Sequence, residues 1–481
     1  MTILNLPVEV LAEILCECSD KAIFQTCKTI TAVAFSTSAL WTSIRLGSRQ
    51  FTPDGPDFLR ARILRANGAL LYVSVRNIVE KTAEVSAMCG VLEECNAQIR
   101  EFKLTTHNAR SAGSFVHAVF PNRKPFPALD VLSILSEHES TGNPLDAVWP
   151  QLDLVLADAA MMFPNLRELH INSFHDTVPI PPLSASFSNL CRLILNGSGE
   201  NDIPSAGLLA AFLHCTPQLE SLWVKHFFWE NFETVSPPIT QSTVKGRSNI
   251  SPDIQLPRLK HLAVSIPGPA CNLMACIAAP ALEDLNLDGS RDQPDEEDED
   301  QQGWYEWGGW EKKLVYDALK LLALRSQNVR RLAVTDAYLA RSTWEWIMCG
   351  EDGRQPPFQK LKYIALHLVW GTLCQTHYGF NKRLLETFAS KPMIPLKRLS
   401  FVDCDFPLDA SALVEAFRAS GTKEFKYNGG TPQGMEDVWR ELEELGVSVT
   451  YGGELKLFDE SFERDWWTYG HEIDVMDSGV Y

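Results

Sequence analysis

A short phrase, L-x-x-L-x-L, recurs along most of this chain and limits the folds open to it. It reads Leu129-Asp130-Val131-Leu132-Ser133-Ile134 behind Pro127, and Leu166-Arg167-Glu168-Leu169-His170-Ile171 behind Pro164. Further copies begin at Leu190, Leu219, Leu259, Leu282, Val329, Leu361 and Leu396, with a weaker one at Ile99. The end of each copy alternates apolar and other residues, the period of a short strand with one face buried. Between copies lie stretches with helical spacing, such as Ala206–Cys215, Leu314–Leu324, Lys382–Ala389 and Ala412–Ala419. One strand–helix unit cannot bury its apolar side alone. Stacked neighbours can, so the phrase predicts a quasi-one-dimensional array of parallel strands backed by helices.

This pattern resembles the leucine-rich repeats, in an irregular form. Between leading leucines the spacing runs from 23 residues (259 to 282) to 47 (282 to 329), against about 20–29 in regular repeats. Several units therefore carry insertions, and the asparagine that often follows the strand is mostly missing. Two segments interrupt the array. Residues 235–253 are rich in Ser, Pro, Thr and Gly, and the acidic run Asp292–Asp300 leads into Trp304, Trp307 and Trp310. The acidic run is expected as a solvated loop. At the C-terminal end, Met435–Gly446 is expected as a helix and Val447–Tyr451 as a strand that caps the array.

Ahead of the array stands a stretch of a different kind. Leu6-Pro7-x-Glu9-Val10-Leu11-x-x-Ile14-Leu15 starts with a proline suited to a first helical turn and carries one apolar face. Asp20 can cap a second helix through Ile23, Cys27 and Ile30, and Leu40-Trp41 closes the stretch. Three short helices bury too little surface for an independent domain, so part of their apolar face is left for a partner. The stretch resembles the F-box, by which substrate receptors of SCF-type ubiquitin ligases attach to their adaptor. It departs from that pattern in a shorter segment between Asp20 and Cys27, and in Ile30 where an aromatic is usual. F-box and irregular repeats together resemble a fungal type of receptor.

The expected fold is thus α/β: a small N-terminal three-helix F-box followed by an irregular leucine-rich-repeat solenoid, a curved parallel sheet with outer helices. The expected divisions are an F-box module at 1–46, a linker and atypical first repeat at 47–98, and the solenoid at 99–457 with insertions near 235–253 and 290–303. An acidic, aromatic tail at 458–481 follows. The F-box resemblance implies a Skp-type adaptor, and through it a cullin, as partners. Leu6, Pro7, Val10, Leu11, Ile14, Leu15 and Trp41 would serve adaptor binding.

Chemistry is sparse. No nucleophile elbow, dinucleotide fingerprint or phosphate loop occurs, and the closest cysteine pairs, Cys16/Cys18 and Cys271/Cys276, lack a second pair of zinc-site spacing. No cofactor is expected and the chain reads as a non-catalytic receptor. A net charge of −18 argues against nucleic acid or an anionic membrane as the main partner. No apolar run reaches the length of a membrane span, and the scattered thiols suit a cytoplasmic or nuclear setting. Recognition then falls to the strand positions that alternate outward: Glu168, His170, Arg192, Trp223, Lys225, His261, Asp284, Asn286, Arg331, Tyr363, His367 and Arg398. Mixed charge with two aromatics suits a protein ligand. A repeat scaffold with no role in ubiquitin transfer is the alternative.

Overall fold

The computed structural model describes residues 28–78, 83–106, 109–120, 124–136, 159–172, 187–199, 212–227, 254–266, 269–289, 309–335, 339, 341–351, 355–367, 385–389, 394–402, 410–427 and 435–451. The chain divides into two compact units, Met1–Ser236 and Pro237–Tyr481.

In the first unit, seven strands pair in chain order: β1 (Ser43–Leu46), β2 (Leu71–Ile78), β3 (Ile99–Thr106), β4 (Val131–Ser136), β5 (Glu168–Asn172), β6 (Arg192–Gly199) and β7 (Ser221–Phe227). Every pairing among them is parallel. The register aligns the last apolar positions of successive phrases into rows. Ile44, Val73, Phe102, Leu132, Leu169, Leu193 and Leu222 form one row, and Leu46, Val75, Leu104, Ile134, Ile171, Leu195 and Val224 the next. All of them are buried. The helices Gly55–Ala66, Ala83–Glu94 and Ala109–Val119 connect the first strands. Aromatic rings fill the layer beneath: Phe120 meets Phe102, Phe126 and Phe163 edge-on at 5.9, 4.7 and 5.2 Å between centroids.

The second unit repeats the plan with β9 (His261–Ser265), β11 (Asp284–Asp288), β12 (Arg331–Thr335), β13 (Tyr363–His367), β14 (Arg398–Val402), β15 (Glu424–Tyr427) and β16 (Ser448–Tyr451), again parallel. A two-residue bridge, β8 (Ile254–Gln255) with β10 (Ile277–Ala278), stands apart from it. The long helix Gly309–Arg325 and the helices Pro269–Cys276, Arg341–Cys349, Ala410–Ser420 and Glu436–Glu444 belong to this unit. At its C-terminal end leucines give way to rings, with Phe425 against Phe401, Phe417, Tyr427 and Trp439.

The proline that introduces the phrase has a local cause. In five proline-led copies a residue accepts a hydrogen bond from the N–H three positions on: Phe126 from Leu129, Phe163 from Leu166, Thr216 from Leu219, Leu256 from Leu259 and Ala279 from Leu282. The proline occupies the second position of that turn, where its fixed φ is already suitable. Next comes a residue whose carbonyl accepts two N–H groups from the following repeat. Asp130 O receives Arg167 and Glu168, Lys260 O receives Glu283 and Asp284, and Arg330 O receives Lys362 and Tyr363. This ladder satisfies the backbone at the N-terminal edge of each sheet.

The helix Gly55–Ala66 begins directly after Asp54, with Pro56 in its first turn. A Cβ on Gly55 would collide with the Gln50 carbonyl oxygen, so only glycine fits. That helix stops at Asn67, which takes the left-handed conformation at φ 50°. The boundary at 46 needs correction, because Ser43–Leu46, assigned to the N-terminal module, is the first strand of the sheet, paired with Tyr72–Val75. Ile44 and Leu46 are apolar, alternate, and bury better on the sheet than in a helical bundle. The insertions 235–253 and 290–303, the tail 458–481 and Leu6, Pro7, Val10, Leu11, Ile14 and Leu15 lie outside the described residues.

Candidate binding face

The strand positions that alternate away from the leucine rows form transverse rows of their own. In the second unit the leading row runs His261, Asp284, Arg331, Tyr363, Arg398, Glu424, each directly opposite the next. Its centre is Asp284, whose side chain is 2% exposed. His261 Nδ1 lies 2.5 Å from its Oδ2, and since an ionised carboxylate only accepts, Nδ1 carries the proton. From the other side Arg331 donates through Nε and Nη2 to the two carboxylate oxygens, the fork geometry a guanidinium suits best. Burial pushes the Asp284 carboxyl up. The hydrogen bonds and charges of His261 and Arg331 outweigh that and hold it below its ordinary value.

Farther along the row Arg398 lies over the Tyr363 ring at 5.5 Å and donates to Glu424 at 2.7 Å. Lys397 adds a second contact to Glu424 at 3.4 Å. The Arg398 hydrogen bond is the main reason that the Glu424 carboxyl is lowered. Behind this row Asn286 stands opposite Ala263 and Ala333. Thr335 Oγ1 reaches its Oδ1 at 3.5 Å. His367 takes its place opposite Thr335 and Val402, its side chain lying outside the described residues.

In the first unit Glu168 stands opposite Arg192, with 3.9 Å between their charged groups. The Arg192 guanidinium covers the Trp223 ring at 5.2 Å. His170 lies between Ser133 and Ile194. Desolvation, then the charges of Arg192 and Lys103, push its imidazole down to about 3, so it is neutral at physiological pH. Lys225 is opposite Asn196, its side chain again outside the described residues.

These positions alternate with the leucine rows, but among the described side chains their depth varies. His170, Trp223, Asp284 and Asn286 are buried, a correction to the expectation of an outward, solvated row. The reason is the spacing of parallel strands, about 4.8 Å, at which long side chains on one face cover their neighbours. Glu168, Arg192, His261, Arg331, Tyr363 and Arg398 keep partial exposure and are the accessible members among the described side chains.

Trp41 sits at the other end of the first unit. Its Nε1 donates to the Ala34 carbonyl at 2.9 Å, and its ring stacks on Phe35 at 5.6 Å. Arg65 of the helix Gly55–Ala66 lies over both rings, 4.7 and 4.5 Å away. The residue thus fastens the helices Lys28–Ser36 and Ala39–Thr42 to the body of the unit.

Sequence reasoning missed Glu424, because Glu424-Phe425-Lys426-Tyr427 uses aromatic residues where the phrase has leucine. Strict alternation ahead of a helix was the signal available. It also missed the asparagines just before the leading apolar residue. Asn165, Asn189 and Asn328 donate through Nδ2 to the carbonyls of Pro127, Pro164 and Pro280, at 2.7, 2.9 and 2.6 Å. They staple one turn to the previous repeat.

Among the described residues no group of three or more His, Cys, Asp or Glu side chains is arranged to hold a metal ion. Among the same residues no helix is long and apolar enough to cross a membrane. No known protein family matches the sequence, and no curated protein matches it. Among solved structures, a Bacteroides fragilis protein determined as a structural-genomics target is similar over 63% of this chain and 69% of its own, at 14% identity and a TM-score of 0.32. A likeness that low carries no argument about fold or function.

Proposed function

We propose that this chain is a substrate receptor of an SCF-type ubiquitin ligase, with an N-terminal F-box for the adaptor and a repeat array for the target. The observation that carries the reading is the F-box-like run Leu6-Pro7-x-Glu9-Val10-Leu11-x-x-Ile14-Leu15, set directly ahead of a parallel-strand repeat array. The receptor makes and breaks no bond. It raises the local concentration of a target lysine beside the ligase's charged E2 thioester, so that an encounter between two molecules becomes effectively intramolecular.

Leu6, Pro7, Val10, Leu11, Ile14 and Leu15 supply the adaptor contact in this reading. Each aliphatic side chain removed from water there contributes about 1.5–3 kcal/mol. Trp41 holds the module's last helices on the body of the first unit. In this reading the target lies on the half-exposed row of His261, Arg331, Tyr363 and Arg398.

Co-purification with a Skp-type adaptor tests the reading, comparing the full chain with one that begins at residue 28. That truncation spares Trp41 and the edge strand Ser43–Leu46, which the fold needs. A stable complex formed by the full chain and lost on truncation is the expected result. A well-folded full chain that binds no adaptor would leave a repeat scaffold without a role in ubiquitin transfer.

A further inference from the structure

The N-terminal edge of the second unit's sheet carries a line of positive charge that the fold does not require. The residue just before each strand is the one whose carbonyl accepts N–H groups from the next repeat, two of them at each position here except Lys423, which accepts one. In strand order these residues are Lys260, Glu283, Arg330, Lys362, Lys397 and Lys423, five bases and one acid. The backbone task makes no demand on the side chain, since Asp130, Arg167 and Cys191 perform it in the first unit. Yet four bases, Arg330 to Lys423, follow one another on adjacent strands at about 4.8 Å spacing, where like charges opposite one another destabilise the pair.

Partial neutralisation comes from two acids, Glu283 on Arg330 at 3.8 Å and Glu424 on Lys397 at 3.4 Å. Among the described residues no carboxylate lies within ion-pair range of Lys362 or Lys423. Both are exposed, as are Arg330 and Lys397 with 54% of each side chain open. All this stands in a chain with a net charge of −18.

We propose that this edge is a docking surface for an acidic segment of another protein, held in an extended form across the strands. From β9 to β15 the row spans about 24 Å, the length of about seven extended residues. Carboxylates along such a segment relieve the repulsion between neighbouring lysines, while Arg330 supplies a planar fork of donors. The inference stands on the charge row alone and is independent of whether the N-terminus engages an adaptor.

The test uses the full chain and a fluorescent hexaglutamate peptide, with a hexaglutamine peptide as the neutral probe. The expected result is binding of hexaglutamate only, weakening as salt rises. Lys362→Glu with Lys397→Glu lowers the affinity at least about tenfold. Arg440→Glu, a reversal on the exposed face of the helix Glu436–Glu444, leaves it unchanged, and all three proteins share one circular-dichroism spectrum. Unaltered binding by the double variant overturns the proposal. So does stronger competition from a single-stranded oligonucleotide of equal charge, which makes the edge a nucleic-acid surface. Binding that emerges only when the acids of 292–300 are replaced by their amides also overturns it, by making that segment the occupant.

Discussion

Replacing Asp284 by alanine removes the charge on which His261 and Arg331 converge, and its cost follows from the geometry. Breaking a buried ion pair from one side costs about 3–5 kcal/mol, because the remaining charge is left without compensation. Arg331 keeps 28% of its side chain in water, which recovers part of that, so about 2–3 kcal/mol is expected. Asp284 belongs to the central strand of three, so the loss falls on β9, β11 and β12 together. Amide hydrogen exchange resolved on those strands reads it as opening about 30- to 150-fold more frequent. With Arg331→Ala added, the double variant should be less damaged than the sum of the two by about 1–3 kcal/mol. The acid dependence has a definite sign. A carboxyl held below its ordinary value contributes stability above the unfolded pKa of about 3.9 and loses it as pH falls through the lower folded value. The gap in melting temperature between Asp284→Asn and the parent chain should therefore narrow below about pH 4. A variant that exchanges at the parent rate, or a gap that is constant down to pH 2.5, would refute this description of the network.

Four other outcomes are expected. Phe425→Ala empties the ring cluster at the C-terminal end of the second unit and costs about 3–5 kcal/mol, measured by urea unfolding. Asn165→Ala, which unstaples one turn from the Pro127 carbonyl, costs about 1 kcal/mol in the same assay. His170 binds its proton only near pH 3 when folded, against about 6.5 unfolded, so the unfolded chain takes up the proton first. Stability should fall as pH drops from 6.5 towards 3, and His170→Gln should flatten that part of the melting profile. Trp41→Phe keeps the ring stack but loses the bond to Ala34, and limited proteolysis between residues 28 and 46 should quicken while the rest of the chain stays protected.

The strands of the array were legible because the phrase carries their period. Leu132 and Ile134, or Leu285 and Leu287, alternate visibly, and a parallel sheet needs little more than that pattern repeated. Glu424–Tyr427 escaped notice because Phe425 and Tyr427 hold the same inward positions with rings. Ser43–Leu46 escaped because four residues are too few to set a period beside a helical module. For the binding face, alternation separates these positions from the leucine rows but says nothing of depth. Asp284 and Trp223 are buried by partners from neighbouring repeats, 47 residues away for Arg331 and 31 for Arg192. The basic edge was hidden for a related reason: its members are spaced by whole repeats, so their charges never form a run in the sequence.

The most direct measurement for the receptor reading is calorimetric titration of the purified full chain with a purified Skp-type adaptor, beside the variant Leu11→Glu with Ile14→Glu. The expected result is a one-to-one complex with the parent chain and loss of measurable heat with the variant, at an unchanged melting temperature. Equal binding by both proteins, or by neither, would contradict the assignment of the N-terminal apolar face to an adaptor.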